Sequence, residues 1–254
     1  MNPLNTLDPP LVSVITVVRN GATTILQTLE SVRLQRRVPV EHIVIDGVST
    51  DSTIDILKNM QSDQLRWISE PDQGIYDAMN KGITLAHGEW LLFLGADDVL
   101  ADPDVLADIF QKHELSPYNL VCGCSSYSGG RKCAPRLDWH MQLFNTIHHQ
   151  AAFYRKSLFD DFRYRLDIPV VADYEMNFLI YSQRRPALLL DRHVAVSGIQ
   201  GISHTSSQFS ALIDAYKIRR RYENVLLNVV LLAAGLANLF IAHLMERSPW
   251  HTQH

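Results

Sequence analysis

What the chain is short of narrows its function before any motif is read. Its 254 residues include only three cysteines, Cys122, Cys124 and Cys133. An odd and sparse set is no disulfide framework of the kind that staples small secreted domains. Cys-Gly-Cys plus one more also departs from standard zinc spacings, with no nearby histidine to complete it, so reduced thiols in or beside a strand are expected. Basic charge is in deficit: a formal net charge of -4 argues against a general nucleic-acid binder. The N-terminus, MNPLNTLDPP, has neither the basic start nor the apolar core of an export signal. These absences predict a cytoplasmic protein in a reducing setting. Two nucleotide-binding signatures are missing as well. No Walker A sequence occurs, and the first strand-to-helix turn reads Val18-Arg19-Asn20-Gly21-Ala22-Thr23 rather than G-x-G-x-x-G.

What is present is an alternation of strand and helix patterns. Leu11 to Val18 is β-branched and strand-like, and it is followed by Ile25, Leu26, Leu29 and Val32 at helical spacing. His42 to Asp46 reads as a second buried strand, with a polar loop leading to Ile54, Leu57 and Met60 on a helix. Leu65 to Ser69 is a short third strand, and a helix is expected from Ile75 to about Ala86. Trp90 to Leu94 is a wholly apolar run that ends at Asp97-Asp98. Such a pattern implies an α/β fold with a mostly parallel sheet, helices on both faces and right-handed crossovers. Asn20, Asp46 and Asp97 then line one sheet edge, where open α/β sheets bind ligands. Two readings of Asp97-Asp98 compete on spacing alone: ligands for a hard divalent cation, or a cap for the helix that Asp102-Pro103-Asp104 opens.

Three segments carry a more specific likeness. They are Val14-Ile15-Thr16-Val17-Val18-Arg19-Asn20, Val44-Ile45-Asp46-Gly47-Val48-Ser49-Thr50-Asp51-Ser52-Thr53, and Glu70-Pro71-Asp72-Gln73-Gly74-Ile75-Tyr76-Asp77-Ala78-Met79-Asn80-Lys81-Gly82. Together they resemble the family 2 glycosyltransferases of GT-A (Rossmann-like) fold, and closely the subgroup acting on bacterial exopolysaccharide, colanic-acid or lipopolysaccharide units. The likeness covers about residues 11–220. It implies an inverting enzyme that moves a sugar from a nucleotide-diphosphate sugar to a saccharide acceptor, free or lipid-linked. It also implies that Thr16, Val18, Asn20 and Asp46 surround base and ribose, that Asp72 and Lys81 flank the same cleft, and that Ala96 and Asp97 complete the donor site. Lys81 would offset diphosphate charge, with Tyr76 or Asn80 looking into the cleft from one helical face. The family commonly shows Asp-x-Asp or Asn-x-Asp where this chain has Gly95-Ala96-Asp97. One acid is therefore lost, and Asp97 is the expected ligand for manganese or magnesium, with Asp98 supporting the loop.

Past Asn119 the character changes. Asn119 to Ser126 reads as a strand and Tyr127-Ser128-Gly129-Gly130-Arg131-Lys132 as a turn or mobile loop. The family's His-Gln segment maps to His149 and Gln150 at the acceptor pocket. Its acid motif maps to Asp173 in Val171-Ala172-Asp173-Tyr174-Glu175, which makes Asp173 the expected general base, preferred to Glu175; its bland alternative is a helix cap. Val194 to Ser197 reads as a strand, and the loop after it, Gly198 to His204, resembles a Gly-Gly-x-Ser loop over the diphosphate, with Ser203 and His204 as contacts. Expected boundaries are 1–118 for the nucleotide-sugar half, 119–222 for the acceptor and catalytic half, and 223–254 for an apolar C-terminal helix. Val225 to Leu244 is about 20 residues, or ~30 Å as a helix. The basic Lys217 to Arg221 segment precedes it, and Asn228, Gly235 and Asn238 form a polar or small stripe along it. Three roles are open for this helix: lying on or dipping into the membrane at the inner face of the cell membrane, forming a homo-oligomer or packing on its own chain, or spanning the bilayer. A nucleotidyltransferase is the nearest enzymatic rival, but it requires a Gly-rich basic loop after the first strand. A non-catalytic nucleotide-sugar scaffold is the other alternative, kept open by Gly95.

Overall fold

The computed structural model describes residues 9–128, 130, 132–198 and 208–246. Strand β1 (Val12–Val18) lies between β2 (Val40–Asp46) and β4 (Trp90–Gly95), with β3 (Leu65–Ser69) outside β2. All three pairings are parallel. These strands are apolar on both faces because helices cover both: Trp90 to Leu94 are almost fully buried, as are Val12, Val14 and Ile15. Helix α1 (Ile25–Arg33) buries Ile25, Leu29 and Val32 but turns Leu26 to solvent. Helices α2 (Thr53–Asn59) and α3 (Ile75–Leu85) complete the crossovers, and α3 buries Tyr76, Met79 and Ile83 at helical spacing.

The chain adds β2 and β3 on one side of β1 and then returns to place β4 on the other. The strand order thus reverses between β1 and β4, which opens a crevice at their carboxyl ends. Beyond β4 the sheet is mixed rather than parallel. After β5 (Val99–Leu100) and α4 (Val105–Phe110) comes β6 (Leu120–Tyr127), with β7 (Lys132–Cys133) paired to it. Strand β8 (Ala152–Arg155) runs antiparallel between β4 and β6, and β9 (Ala187–Ser197) runs parallel to β6 with β5 on its far edge. The sheet therefore continues across position 118 without a break. Strand β9 starts well before the expected Val194 because its first half is only partly buried and shows no clean alternation. All three cysteines are free, and Cys122 and Cys124 are buried in β6.

Helix α5 (Ala172–Ser182) packs beneath the second half of the sheet, and α6 (Gln208–Arg219) and α7 (Val225–Glu246) follow. The tail is docked on α5 through polar contacts. Arg219, expected in an exposed basic run, is fully buried, with Nε donating to Asn228 Oδ1 at 3.2 Å and Nη1 to Tyr174 Oη at 3.5 Å. Tyr222 donates to Glu175 at 2.6 Å, and Lys217 is spent on Asp214 at 2.8 Å. Lys217, Arg220 and Arg221 of the basic run are exposed, and of these Lys217 is paired with Asp214. Two residues of the stripe on α7 have their explanation here: Asn228 and Gly235 face inward, Gly235 against Leu212, while the Asn238 side chain lies outside the described residues. Among the described residues, no helix is long and apolar enough to cross a membrane.

Val48 stands out at φ 57°, a left-handed conformation that crowds a β-branched side chain. Its side chain is exposed, so it gains little packing in return. Val48→Gly is expected to stabilise the fold by about 1 kcal/mol, or a Tm rise of about 2–4 °C in a two-state melt. An unchanged or lower Tm would show that the turn holds no strain.

Candidate active site

A cleft of about 540 Å³ opens at the β1–β4 edge, and elements from both halves of the chain line it. On the first side stand Val18, Arg19 and Asn20 after β1, with Ala96, Asp97 and Asp98 after β4. Asn20 takes φ 55°, which asparagine tolerates, and braces the loop after β2: its N–H donates to Ser49 Oγ at 2.7 Å and its Oδ1 accepts from Thr50 N–H at 2.8 Å. Asp46 sits one layer behind. It is fully buried, accepting from Ser49 N–H at 3.0 Å, Ser49 Oγ at 2.5 Å and Ser69 Oγ at 2.7 Å, so it ties the ends of β2 and β3 rather than lining the cleft.

Three other expected donor-site residues lie off the cleft wall. Thr16 is buried and paired with His42 Nε2 at 2.9 Å, because alternation along β1 puts it on the opposite face from the cleft-lining Ile15 and Val17. Asp72 packs on Gly47 and accepts from Gly74 N–H at 2.9 Å. Lys81 is held at the start of α3 by the Pro71 carbonyl at 2.6 Å, Glu70 at 3.0 Å and Asp77 at 3.5 Å. Among the described residues, the lysine or arginine that lines the cleft is Arg19, in a position whose turn signal hid its charge.

The adjacent acids divide their work. Asp98 is 3% exposed and closes the turn, accepting from Gly95 N–H at 2.7 Å and Gly198 N–H at 3.1 Å; burial pushes its carboxyl up. Asp97 points to where β9 ends. A Cβ on Gly198 would lie 2.1 Å from Asp97 Oδ2, so only glycine leaves that carboxylate its place. No group of three His, Cys, Asp or Glu side chains among the described residues forms a self-sufficient metal cage. One carboxylate beside an open cleft still fits a hard divalent ion that takes its other ligands from phosphate and water.

Across the cleft, Asp173 sits in the first turn of α5 at 8% exposure. Its Oδ2 accepts from Asn145 Nδ2 at 3.0 Å and from His149 Nδ1 at 3.2 Å. Its Oδ1 lies 3.1 Å from Tyr76 Oη, whose single proton is shared with the Val170 carbonyl at 2.8 Å. Burial works to raise the Asp173 carboxyl, but hydrogen bonds and charge from His149 and Tyr76 outweigh it and hold it below the usual carboxylate range. For His149, burial works to lower the imidazole, and Asp173 and Asp98 reverse that and raise it. Asn145 is itself held by Asn177 Nδ2 at 3.0 Å, and Asn177 accepts from Tyr154 at 2.8 Å. Asn145 and its supports are not marked by any motif. The available signal was that Asn177 follows Asp173 by one helical turn on the same face. Of the pair offered by α3, Tyr76 faces the cleft, while Asn80 bonds the backbone of Tyr164 at 2.8 and 2.9 Å. Glu175, two residues beyond Asp173, points away to Tyr222. His149 and Gln150 line the cleft; Ser203 and His204 lie outside the described residues.

Comparison with known proteins agrees with this geometry. The model of the family described as glycosyl transferase family 2 matches residues 13–174. A PGL/p-HBAD biosynthesis glycosyltransferase of Mycobacterium bovis is 37% identical over 209 residues, covering 77% of this chain and 80% of the relative. An uncharacterized glycosyltransferase of Mycobacterium tuberculosis is 37% identical over 177 residues, covering 65% of this chain and 67% of that protein. Among solved structures, S. aureus TarS superposes with a TM-score of 0.69 at 19% identity, over 89% of this chain and 42% of TarS. The mannosyltransferase PcManGT from Pyrobaculum calidifontis, solved with GDP-Man and Mn2+, gives 0.66 at 19% identity over 94% of this chain and 77% of its own. At those identities the two structures speak for the GT-A fold alone. On the family match and the relatives at 37% identity, the chain belongs to glycosyltransferase family 2.

Proposed function

We propose that this glycosyltransferase moves a sugar, with inversion, from a nucleotide-diphosphate sugar to a hydroxyl of a saccharide acceptor. One observation carries the reading: a single cleft is faced by Asp97 at the end of β4 and, from the other half of the chain, by Asp173 at the start of α5. Residues 1–118 then serve the donor and 119–222 the acceptor. Val18, Asn20 and Ala96 border the nucleotide, and Arg19 offsets diphosphate charge in the place once given to Lys81. A manganese or magnesium ion on Asp97, when bound, neutralises charge growing on the leaving diphosphate. Base function belongs to the Asp173 side of the cleft, where the acceptor hydroxyl loses its proton as its oxygen attacks the anomeric carbon. The bond from that carbon to the diphosphate breaks on the opposite face, and inversion follows from the single displacement.

The tail suggests where the acceptor is carried. Leu226, Val229 and Val230 of α7 are exposed, while Asn228 between them is buried. With Arg220 and Arg221 exposed just before, this face suits an anionic membrane surface and an acceptor saccharide on a lipid. This reading sets the protein at the inner face of the cell membrane.

Screening nucleotide sugars with and without manganese identifies the donor. Asp173→Asn is expected to keep donor affinity and lower transfer by about 100-fold or more, a loss in kcat; undiminished transfer would remove Asp173 from the mechanism. EDTA and Asp97→Ala should each abolish transfer, and full activity in EDTA would refute the metal. Gly198→Ala should weaken metal-dependent donor binding by about tenfold in calorimetry, by turning Asp97 aside, without moving Tm by more than about 2 °C. Co-sedimentation with anionic vesicles should fall sharply in Leu226→Asp/Val230→Asp. A concentration-dependent dimer that never sediments would instead assign this face to self-association.

A further inference from the structure

We propose that the loop 136–146 carries a second saccharide subsite, where the Trp139 ring stacks on the sugar next to the one bearing the attacking hydroxyl. The acceptor is then at least a disaccharide; this rests on the transferase reading of the cleft. The loop is closed at its base. Thr146 Oγ1 donates to the Arg136 carbonyl at 2.5 Å, and the Arg136 N–H donates to the Thr146 carbonyl at 3.3 Å. Thr146 stands between Asn145 and Ile147, both of which line the cleft. Both ends of the loop therefore meet at the rim of the cleft, on the side of Asp173.

The floor of the loop is fixed and its outer face is not covered. Met141, in the 3₁₀ turn Trp139–Gln142, is fully buried, and its carbonyl accepts from Tyr174 Oη at 2.6 Å, one residue beyond Asp173. Gln142 Nε2 donates to Glu223 Oε1 at 3.3 Å. Trp139 is nonetheless 60% exposed, and Phe144 54%. An exposed aromatic ring alone says little, but the surroundings of this one say more. The Trp139 indole lies on the His140 imidazole, with 3.8 Å between centroids and 29° between planes, so one face of the indole is backed. His140 is held in turn: its Nδ1 lies 2.8 Å from Asp138 Oδ1 and 2.8 Å from Arg136 Nη2. Asp138 Oδ2 accepts from Arg136 Nε at 3.1 Å and Nη2 at 2.9 Å, and the two side chains remain 41% and 52% exposed.

A pyranose ring presents a face of C–H groups and a rim of hydroxyls. The C–H face is attracted to the negative face of an indole, and the rim needs donors and acceptors together. Trp139, with Arg136 and Asp138 beside it, has that composition. A lipid surface suits the same place poorly, because anionic headgroups repel the Asp138 carboxylate and its desolvation is costly. Position agrees with chemistry. Asp173 Oδ1 stays open to an acceptor hydroxyl, since the one Tyr76 proton is shared with the Val170 carbonyl at 2.8 Å. The sugar bearing that hydroxyl sits against Asn145 and Ile147, and its glycosidic neighbour passes over the rim to the loop. Asn145 joins the two subsites, donating to Asp173 at 3.0 Å and following the exposed Phe144 in the chain.

The test uses the full chain and the donor that the screen identifies. Acceptors are the methyl glycosides of glucose, galactose, mannose and rhamnose, and methyl disaccharides that end in each. Wild type should favour the disaccharide it uses over the terminal sugar alone by about tenfold or more in kcat/KM. Trp139→Ala should cut that preference to about twofold, by raising KM for the disaccharide about tenfold with little change in kcat. Trp139→Phe keeps a stacking face and should keep most of the preference, which guards against a folding artefact in the alanine variant. A wild type without the preference, or Trp139→Ala retaining it, would overturn the inference. So would a fall in kcat at constant KM, which would assign the loop to bracing Asn145 alone. Loss of vesicle sedimentation or of a dimer in Trp139→Ala, with KM unmoved, would give the ring to a membrane or to a second copy instead. A wild type that hydrolyses its nucleotide sugar yet uses none of these glycosides would also refute the subsite. One that neither hydrolyses nor transfers from any nucleotide sugar would sink the transferase reading itself, and the inference with it.

Discussion

A buried carboxylate has to be satisfied, and in this protein the need is met at Asp173 by three donors from two separate parts of the chain. Tyr76 comes from α3 in the first half, while Asn145 and His149 come from the irregular segment between β7 and β8. Leaving such a charge unpaired costs several kcal/mol, so these contacts act as a constraint on the fold and not only as ornaments of a site. They draw the Asn145–Gln150 segment over α5 and set α3 against the start of the same helix. Asn177 and Tyr154 extend the constraint to the sheet, since Tyr154 lies on β8 and Asn177 one turn along α5. The acceptor wall of the cleft is therefore rigid because it is the way the molecule pays for one charge.

The donor wall is built on another rule. Its strands are parallel and buried on both faces, so their ends, and not their faces, are where polar chemistry can stand. Backbone N–H groups at Gly95 and Gly198 close on Asp98, and the bare α-carbon of Gly198 leaves Asp97 its position. Strand β9, which belongs to the second half of the chain, thus shapes the carboxylate proposed to meet the metal. The halves are joined both by the sheet and by this contact.

How far the site was legible in the sequence follows from these two rules. Buried parallel strands write themselves as apolar runs, so β1 to β4 and the residues at their ends could be read in order. Side-chain direction within a strand was harder. Thr16 and Val18 share one face of β1, yet only Val18, at the end of the strand, borders the cleft, while His42, itself buried, takes the Thr16 hydroxyl. Lys81 carried a charge suited to diphosphate, but Glu70 and Asp77 claim it at 3.0 and 3.5 Å. Beyond β4, the four residues of β8 and the two of β5 and of β7 are too short for any periodicity to declare them. Asn145 belongs to no motif and no repeat. Its importance exists only once tertiary contact brings it to Asp173.

The acids themselves give a common logic for both walls. Asp97 and Asp98 are adjacent, and one turns to the cleft while the other is consumed by the turn that holds it. Asp173 and Glu175 are two apart on a helix, which sends them to opposite sides: one to the cleft, the other to Tyr222 at 2.6 Å and Arg221 at 3.8 Å on the tail. In each pair the second acid secures the geometry of the first. Through Glu175, and through Arg219 against Tyr174, helix α5 is also the surface on which the tail is seated. A displacement of α6 or α7 therefore has a direct mechanical route to the first turn of α5, where Asp173 stands. A tail resting on a lipid surface would bear on the same helix that positions the base.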